Sequence, residues 1–411
     1  MSKNHITSTH TSFFVFLFFL PLFAFSERKS DTVPNMHSFI HRIEANLRPD
    51  YIFPTNSFFK GENDKLQPIE KAFSTHLSYS FRFHPDTYAA RIYGNPYQGI
   101  GYAQYLFQNH HEIGKPITIY LLQGARILRI SSGLSLDYEW NFGLSSGWNP
   151  YDETANPHNK VIGSKTNAYI NAGIYLHWQP NRKIDFISGF NLTHFSNGNT
   201  SIPNAGLNTI GLRAGFTYNF YTTPPVRIEE SSPPPVFPPH ISYDLTIFGS
   251  WRRKGLLIHD RNPVISPEKY SILGFNFAPM YNFGYKFRSG ISLDGIYDAS
   301  SNIYIEDYPA QREKSEQYIF SKPPLIQQLG LGLSIRAEYV MPYFIIGLGM
   351  GINILQWAED LQGLYQIASI KIEITRNSFL HIGYNLQNFK TPNHLMLGIG
   401  YRFNNKYPIY K

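Results

Sequence analysis

From Ser74 onward the chain is built of segments in which apolar and polar side chains alternate one for one. Leu128, Ile130, Ser132, Leu134, Leu136, Tyr138 and Trp140 interleave with Arg129, Ser131, Gly133, Ser135, Asp137 and Glu139. Ala168, Ile170, Ala172, Ile174, Leu176 and Trp178 interleave with Asn167, Tyr169, Asn171, Gly173, Tyr175 and His177. The same rhythm runs from Ile184 to Leu192 and from Ile210 to Phe220. Successive side chains of a strand point to opposite faces, so each segment predicts a strand with one apolar and one polar wall. Strands of about ten residues suit a bilayer crossing with the polar wall turned inward, whereas strands elsewhere average about 5–6. The pattern predicts an all-β fold, an antiparallel transmembrane β-barrel. Seven or eight strands are expected between about 70 and 221, and a barrel of about eight is filled by its own side chains.

The alternation stops at Pro224 and resumes at Ile241. Seven of the sixteen residues from Pro224 to Pro239 are proline, which cannot donate a ladder hydrogen bond and favours an extended spacer. About eight further strands are expected between Ile241 and Phe403. Bacterial barrels join their strands on the periplasmic side by short turns, so the spacer favours two tandem eight-stranded barrels. The alternative is one sixteen-stranded barrel.

Composition supports a membrane wall. Only 16 % of the 411 residues are charged and another 16 % are aromatic, against about a quarter charged in a soluble domain. Mean hydropathy is nonetheless −0.27, which excludes a helical membrane protein. A barrel reconciles the two, because only alternate residues meet lipid while Tyr, Phe and Trp girdle the interfaces. The net charge of +7 is scattered along the chain, without the basic clusters that bind nucleic acid. With no cysteine, a disulfide framework and a thiolate metal site are excluded. Lys3, His5 and His10 precede an apolar run from Phe13 to Phe25, and Ala24-Phe25-Ser26 offers a cleavage site. Residues 1–26 therefore read as a secretory signal peptide. No later segment reaches ~18 uninterrupted apolar residues, so export without a helical span leaves the periplasm, the exterior or the outer membrane. Residues 27–70 read as an irregular lead-in, 71–221 as the first barrel, 222–240 as a Pro-rich linker and 241–411 as a second, non-catalytic barrel.

Chemistry concentrates between Thr193 and Asn208. His194 and Ser196 continue the apolar face of Ile184, Phe186, Phe190 and Leu192, and Asn208 begins that of Ile210, Leu212 and Phe216. Three polar residues thus end two lipid-facing stripes across one hairpin, which is costly unless they lie near the interface. In a barrel that starts in the periplasm the seventh strand runs outward, so this hairpin falls at the outer rim. There a His beside a Ser can act as general base and make the hydroxyl a nucleophile for an acyl ester. Asn208 can accept the imidazole N–H, as Asn does in Cys-His-Asn hydrolases. Asn197, Asn204 and nearby backbone N–H groups are candidate oxyanion donors. The plainer reading is an interfacial loop rich in Asn, Gly and Pro on a structural or binding barrel. His110-His111-Glu112 reads as a solvated loop rather than a metal site, because adjacent strand residues face opposite walls. The charged residues Glu306, Asp307, Arg312, Glu313, Lys314 and Glu316 read as an exposed loop. No metal or organic cofactor is implied.

An internal echo links the halves. Gly189-Phe190-Asn191-Leu192-Thr193-His194-Phe195-Ser196 is similar to Gly383-Tyr384-Asn385-Leu386-Gln387-Asn388-Phe389-Lys390. Each is followed by a Pro-Asn pair, Pro203-Asn204 and Pro392-Asn393. The echo suggests a duplication whose second copy carries Asn388 and Lys390 in place of the His and Ser.

His194-Phe195-Ser196-Asn197, with Pro203-Asn204-x-Gly206 at fixed distance, resembles the outer-membrane lipid A 3-O-deacylase family, the PagL-like enzymes, whose relatives are also called acyloxyacyl hydrolases. Lys160-Val161-Ile162-Gly163-Ser164 is similar to that family's Ile-Gly-Ser turn. The resemblance covers residues 70 to 221 and is strongest from 160 to 220. It implies an eight-stranded barrel that hydrolyses an ester-linked acyl chain on the glucosamine backbone of lipid A. Lipid A or lipopolysaccharide and outer-membrane lipid would be the partners. By resemblance His194 is the base, Ser196 the nucleophile, and Asn197 and Asn204 fall in the oxyanion region. The third triad member is normally Glu; here Asn208 stands in its place, and no Asp or Glu on the same face replaces it. That departure keeps open an alternative, a non-enzymatic structural or binding barrel derived from the family.

Overall fold

The computed structural model describes residues 39–85, 87–220, 234–256, 264–306, 318–357, 359–389 and 391–408. The expected signal peptide at 1–26, residues 221–233 of the expected linker, the charged stretch from Asp307 to Glu316, and Lys390 lie outside them. Strands β1 (Phe39–Ile52), β2 (Lys71–Phe83), β3 (Tyr97–Phe107), β4 (Gly114–Arg129), β5 (Leu134–Trp148), β6 (Thr166–Trp178), β7 (Ile184–Ser196) and β8 (Leu207–Asn219) pair antiparallel in chain order. The barrel closes where β1 meets β8. The second half begins with β9 (His240–Arg252), a ribbon of β10 (Gly255–Leu256) and β11 (Val264–Ile265), and β12 (Tyr270–Asn282). Next come β13 (Phe287–Asp298), a ribbon of β14 (Tyr304–Ile305) and β15 (Phe320–Ser321), and β16 (Leu329–Val340). It ends with β17 (Phe344–Gln356), β18 (Leu364–Glu373), β19 (Ser378–Gln387) and β20 (Thr391–Phe403). Leaving out the ribbons, these eight strands close separately, with β20 paired to β9. The architecture is two eight-stranded barrels, and the sixteen-stranded alternative is set aside.

Two readings of the sequence need correction. Residues 27–70 are not an irregular lead-in, because β1 lies within them and completes the first barrel. Arg42, Glu44, Asn46, Arg48 and Asp50 point into its lumen, all buried, while Ile43, Leu47 and Tyr51 face out. Ala45 and Pro49 hold the outward positions between those three, so the apolar stripe is broken and the alternation is faint. Pro49 has no N–H to give, and the β1–β8 register skips Arg48 and Pro49 while β1–β2 pairing runs through. The run from Leu128 to Trp140 is likewise not one strand. It comprises the end of β4, a turn at 130–133 and the first half of β5; outward-facing apolar residues on either side carry the rhythm across the turn.

The connections at 130–133, 179–183, 283–286, 341–343 and 374–377 are short and, with the longer 84–96, share one end, which is the periplasmic end by the habit of such barrels. The longer connections 53–70, 149–165, 253–269 and 299–328 share the other. Inside the first barrel Arg213 is clasped by Glu44 and, at 2.8 Å, by Glu139. Inside the second, Asp244 takes Arg288 at 2.6 Å, Lys371 at 2.7 Å and Arg402 at 3.0 Å. Charges so buried are tolerable only when paired and hydrogen-bonded. Toward the longer-loop end the first lumen is plugged by Phe58, Phe59, Tyr105, Phe107, Trp148, Tyr169 and Phe195. The outer walls carry the apolar belt, with Phe190 62 % and Ile399 64 % exposed. Trp140 shares the outward parity of its strand yet is only 8 % exposed, because the second barrel covers it: the Phe344 ring stands edge-on at 5.1 Å.

Arg213→Met would leave Glu44 and Glu139 buried without their cation, a loss of about 3–5 kcal/mol. Urea unfolding in detergent micelles, followed by the heat-dependent gel shift of the folded barrel, should show the midpoint fall. Reconstitution in planar bilayers should give no steady ion conductance, since both lumens are filled.

Candidate active site

The site is set by Phe195. Its ring enters the aromatic plug, 4.8 Å from Trp148, 5.1 Å from Tyr105 and 5.4 Å from Tyr169. A strand that drives residue 195 inward must turn residues 194 and 196 outward. His194 and Ser196 accordingly lie half-exposed on the outer wall, at the longer-loop end of β7. On the returning strand Asn208 is the direct cross-strand partner of His194. With the ring proton on Nδ1, His194 donates to Asn208 Oδ1 at 2.7 Å, which leaves Nε2 with its lone pair. Below them on the same wall run Leu192, Ile170 and Ile210, all exposed and apolar.

Ser196 Oγ is held by the loop rather than by the imidazole. Asn204 Nδ2 donates to it at 3.0 Å and the Gly198 backbone N–H at 3.1 Å, while Oγ lies 3.2 Å from Asn204 Oδ1 as donor. No His194–Ser196 hydrogen bond occurs among the described residues. Asn204 also accepts the Asn197 N–H at 3.1 Å and donates to Asn199 Oδ1 at 3.1 Å, so one carboxamide ties the loop to the serine. The Asn197 side chain behaves differently from Asn204. It is buried, and its Oδ1 accepts the Ser201 N–H at 3.4 Å, so the donor beside Oγ is Gly198, which the sequence did not single out.

The stretch Lys160 to Ser164 buttresses this loop. Ile162 bridges to Asn204, Val161 O accepts the Ala205 N–H at 3.2 Å, and Gly163 O accepts Ser201 Oγ at 2.7 Å. Gly206 sits at φ +74°, and a Cβ there would come within 3.0 Å of His194 Cε1. Only a residue without a side chain leaves that room.

The other sequence candidates resolve as structure. His110 to Ile113 form a short helical turn in which Glu112 is buried and accepts the Asp64 N–H at 3.2 Å and the Asn109 carboxamide. No group of His, Asp or Glu suited to a metal ion occurs among the described residues. In the second barrel the echo falls on β19, the seventh strand as β7 is in the first. There the strand stops at Gln387, and Asn388 lies in a turn at φ +52°. The equivalent of His194 has thus left the wall. Asn393 serves Arg252 and, at 3.1 Å, Asn385 instead of a serine.

The family described as lipid A 3-O-deacylase (PagL) matches residues 74–217, the part of the chain that carries this hairpin. The family described as acyloxyacyl hydrolase, C-terminal domain, matches residues 241–405, the second barrel. The chain belongs to the lipid A 3-O-deacylase (PagL) family. For a PagL family member the activity is deacylation of lipid A, an ester hydrolysis, with lipid A or lipopolysaccharide as substrate and the outer membrane as its place. No curated protein matches the sequence. Among solved structures the chain is similar to Neisserial surface protein A, at 11 % identity over 44 % of this chain and 97 % of that one, with a TM-score of 0.31. It is also similar to the FrpB iron transporter from Neisseria meningitidis, at 10 % identity over 89 % of this chain and 70 % of that one, with a TM-score of 0.22.

Gly206→Ala should push the His194 ring off its bond to Asn208. A misplacement of about 1 Å costs on the order of 10²-fold in rate, so lipid A deacylation in membranes should fall by about that factor. The heat-dependent gel shift should persist, showing the barrel intact.

Proposed function

We propose that the protein is an outer-membrane serine esterase that removes an ester-linked acyl chain from lipid A, with His194 as general base and Ser196 as nucleophile. The observation that carries this reading is the outward pair on β7, one member bonded to Asn208 and the other facing two N–H donors at the hydrocarbon wall. A lipid acyl chain lying along Leu192 and Ile170 brings its ester to the level of Ser196.

The resting bonds of Ser196 suggest how the site is switched on. When an ester carbonyl arrives, its oxygen takes the Asn204 Nδ2 and Gly198 N–H donors that now hold Oγ. The hydroxyl, released, turns about its single χ1 bond toward His194 Nε2. Oγ then attacks the carbonyl carbon while its proton passes to Nε2, and the two donors bear the oxyanion. Collapse expels the sugar oxygen, which takes the proton from the imidazolium. Water, deprotonated by the same nitrogen, cleaves the acyl-serine and frees the fatty acid. Asn208 fixes the ring and its tautomer throughout, but as a neutral group it offers the imidazolium no countercharge. Hydrogen-bonding geometry in a resting site often tightens only with substrate bound, so the gap between base and nucleophile is compatible with this sequence of steps.

Mass spectra of lipid A from cells expressing the wild-type protein should show loss of one acyl group, abolished by Ser196→Ala and by His194→Ala. Identical spectra from all three would leave a non-enzymatic structural or binding barrel. Asn208→Glu should raise kcat by about tenfold by restoring the countercharge, a modest part of the about 10⁴-fold that loss of such a carboxylate can cost. Unchanged kcat in that variant would mean that orientation alone limits the base.

A further inference from the structure

The second barrel reaches the rim of this site. Its β9 ends at Arg252, and the next residue, Arg253, donates its backbone N–H to Asn199 O at 3.0 Å. Asn199 lies three residues beyond Ser196 and accepts the same Asn204 Nδ2 that holds the serine oxygen. Leu395, on the neighbouring strand β20, packs on Gly198 so closely that a Cβ on that glycine would stand 2.6 Å from Leu395 Cγ. Odd-numbered residues of β9 and Leu395 of β20 have outer-wall parity, and Arg253 follows β9 with the same parity.

Three cations follow one another here, and they are not alike. Arg252 turns inward and is paired with Asp298 at 2.6 Å and bonded to Ser300 at 2.7 Å. Lys254 is paired with Asp360. Arg253 between them has no carboxylate partner among the described residues, and its Nε is buried without a hydrogen bond. A guanidinium with a buried nitrogen left unbonded is costly unless an anion completes it. Guanidinium groups match phosphate oxygens in a two-point fork.

We propose that Arg253 of the second barrel binds a phosphate of the lipid A substrate and so sets which sugar presents its ester to Ser196. The proposal rests on the deacylase reading and deepens it. Lipid A is a phosphorylated, acylated glucosamine disaccharide. On a ring bearing a 3-O ester, a phosphate on carbon 1 is only two ring carbons away. An arginine side chain rooted beside Asn199 spans a distance of that order. The second barrel, without a catalytic pair of its own, would then be the part of the enzyme that reads the headgroup.

The test uses the full chain in detergent micelles with two substrates, lipid A carrying both phosphates and lipid A lacking the phosphate on carbon 1. A charge-assisted hydrogen bond lost from binding corresponds to about tenfold or more. Arg253→Ala should therefore raise KM for the doubly phosphorylated lipid by about tenfold with kcat held within about twofold. It should leave KM for the other lipid unchanged, and Arg253→Lys should recover part of the loss. Equal KM values for both lipids in the wild-type protein would overturn the proposal. So would a fall in kcat on both lipids alike in Arg253→Ala, because that marks a loop support and not a phosphate ligand. Binding of the two lipids to Ser196→Ala, with and without Arg253→Ala, is read separately from turnover. Phosphate-dependent binding that needs Arg253 in a protein showing no hydrolysis would uphold the anchor and refute the esterase. Hydrolysis with binding indifferent to Arg253 would do the reverse.

Discussion

Everything about the site follows from one side chain that cannot turn around. Phe195 lies among Trp148, Tyr105 and Tyr169, and burying such a ring is worth about 1.5–3 kcal/mol before its edge-to-face contacts are counted. A slip of one residue in the pairing of β7 would put Phe195 into lipid and force His194 and Ser196 into the aromatic plug. Two polar groups without partners would then be buried, and the barrel would lose on both walls at once. The register that seals the lumen is therefore the register that exposes His194 and Ser196.

The same alternation explains why the second barrel, built on the same plan, holds no copy of the pair. In β7 the ladder continues through Ser196, and a ten-residue loop from 197 to 206 folds back over the hairpin. In β19 it ends at Gln387, and Asn388 and Phe389 take left-handed conformations in a tight turn. Shortening the strand removes the wall on which the first two polar residues would stand. The two hairpins differ in strand length as well as in residue identity. What remains in this position is packing: Leu395 against Gly198 and the Arg253 amide on Asn199.

Much of this was legible in the sequence, and the omissions have physical causes. Period-two segments marked β6, β7 and β8, and parity alone assigned His194, Ser196 and Asn208 to one wall, because a strand has no other freedom. Strand β1 was missed because Ala45 and Pro49 interrupt its outer stripe and its inner face is charged. The turn at 130–133 was missed because apolar residues on both arms, Leu128, Ile130 and Leu134, keep the beat. Of the two asparagines the sequence offered as oxyanion donors, Asn204 bonds the serine oxygen, whereas the Asn197 side chain is buried and bonds the Ser201 N–H. Gly198 and Arg253 carry no local signal: one acts through its amide, the other follows a strand more than fifty residues away in the chain. Barrel closure is equally invisible to periodicity, since an eight-stranded sheet reads the same whether its edges meet each other or a neighbour.

The Asn208 position has a consequence for how catalytic stabilisation must be distributed. A glutamate there would place a charge at the lipid wall in the resting state, which hydrocarbon penalises, and would recover that cost only when the imidazolium forms. The carboxamide avoids the resting cost and orients the ring through one 2.7 Å bond. In the proposed scheme the imidazolium then has a single countercharge within reach, the oxyanion itself. Stabilisation is weighted to the oxyanion side, onto Asn204 Nδ2 and the Gly198 N–H, the two donors already gathered on Ser196. A cation at Arg253 reinforces that weighting, because it favours negative charge near the loop and disfavours a second positive one. The buttressing of the loop by Ile162, Gly163 and Leu395 is thus where this hairpin concentrates its rigidity, on the side of the reaction that a neutral third residue cannot help.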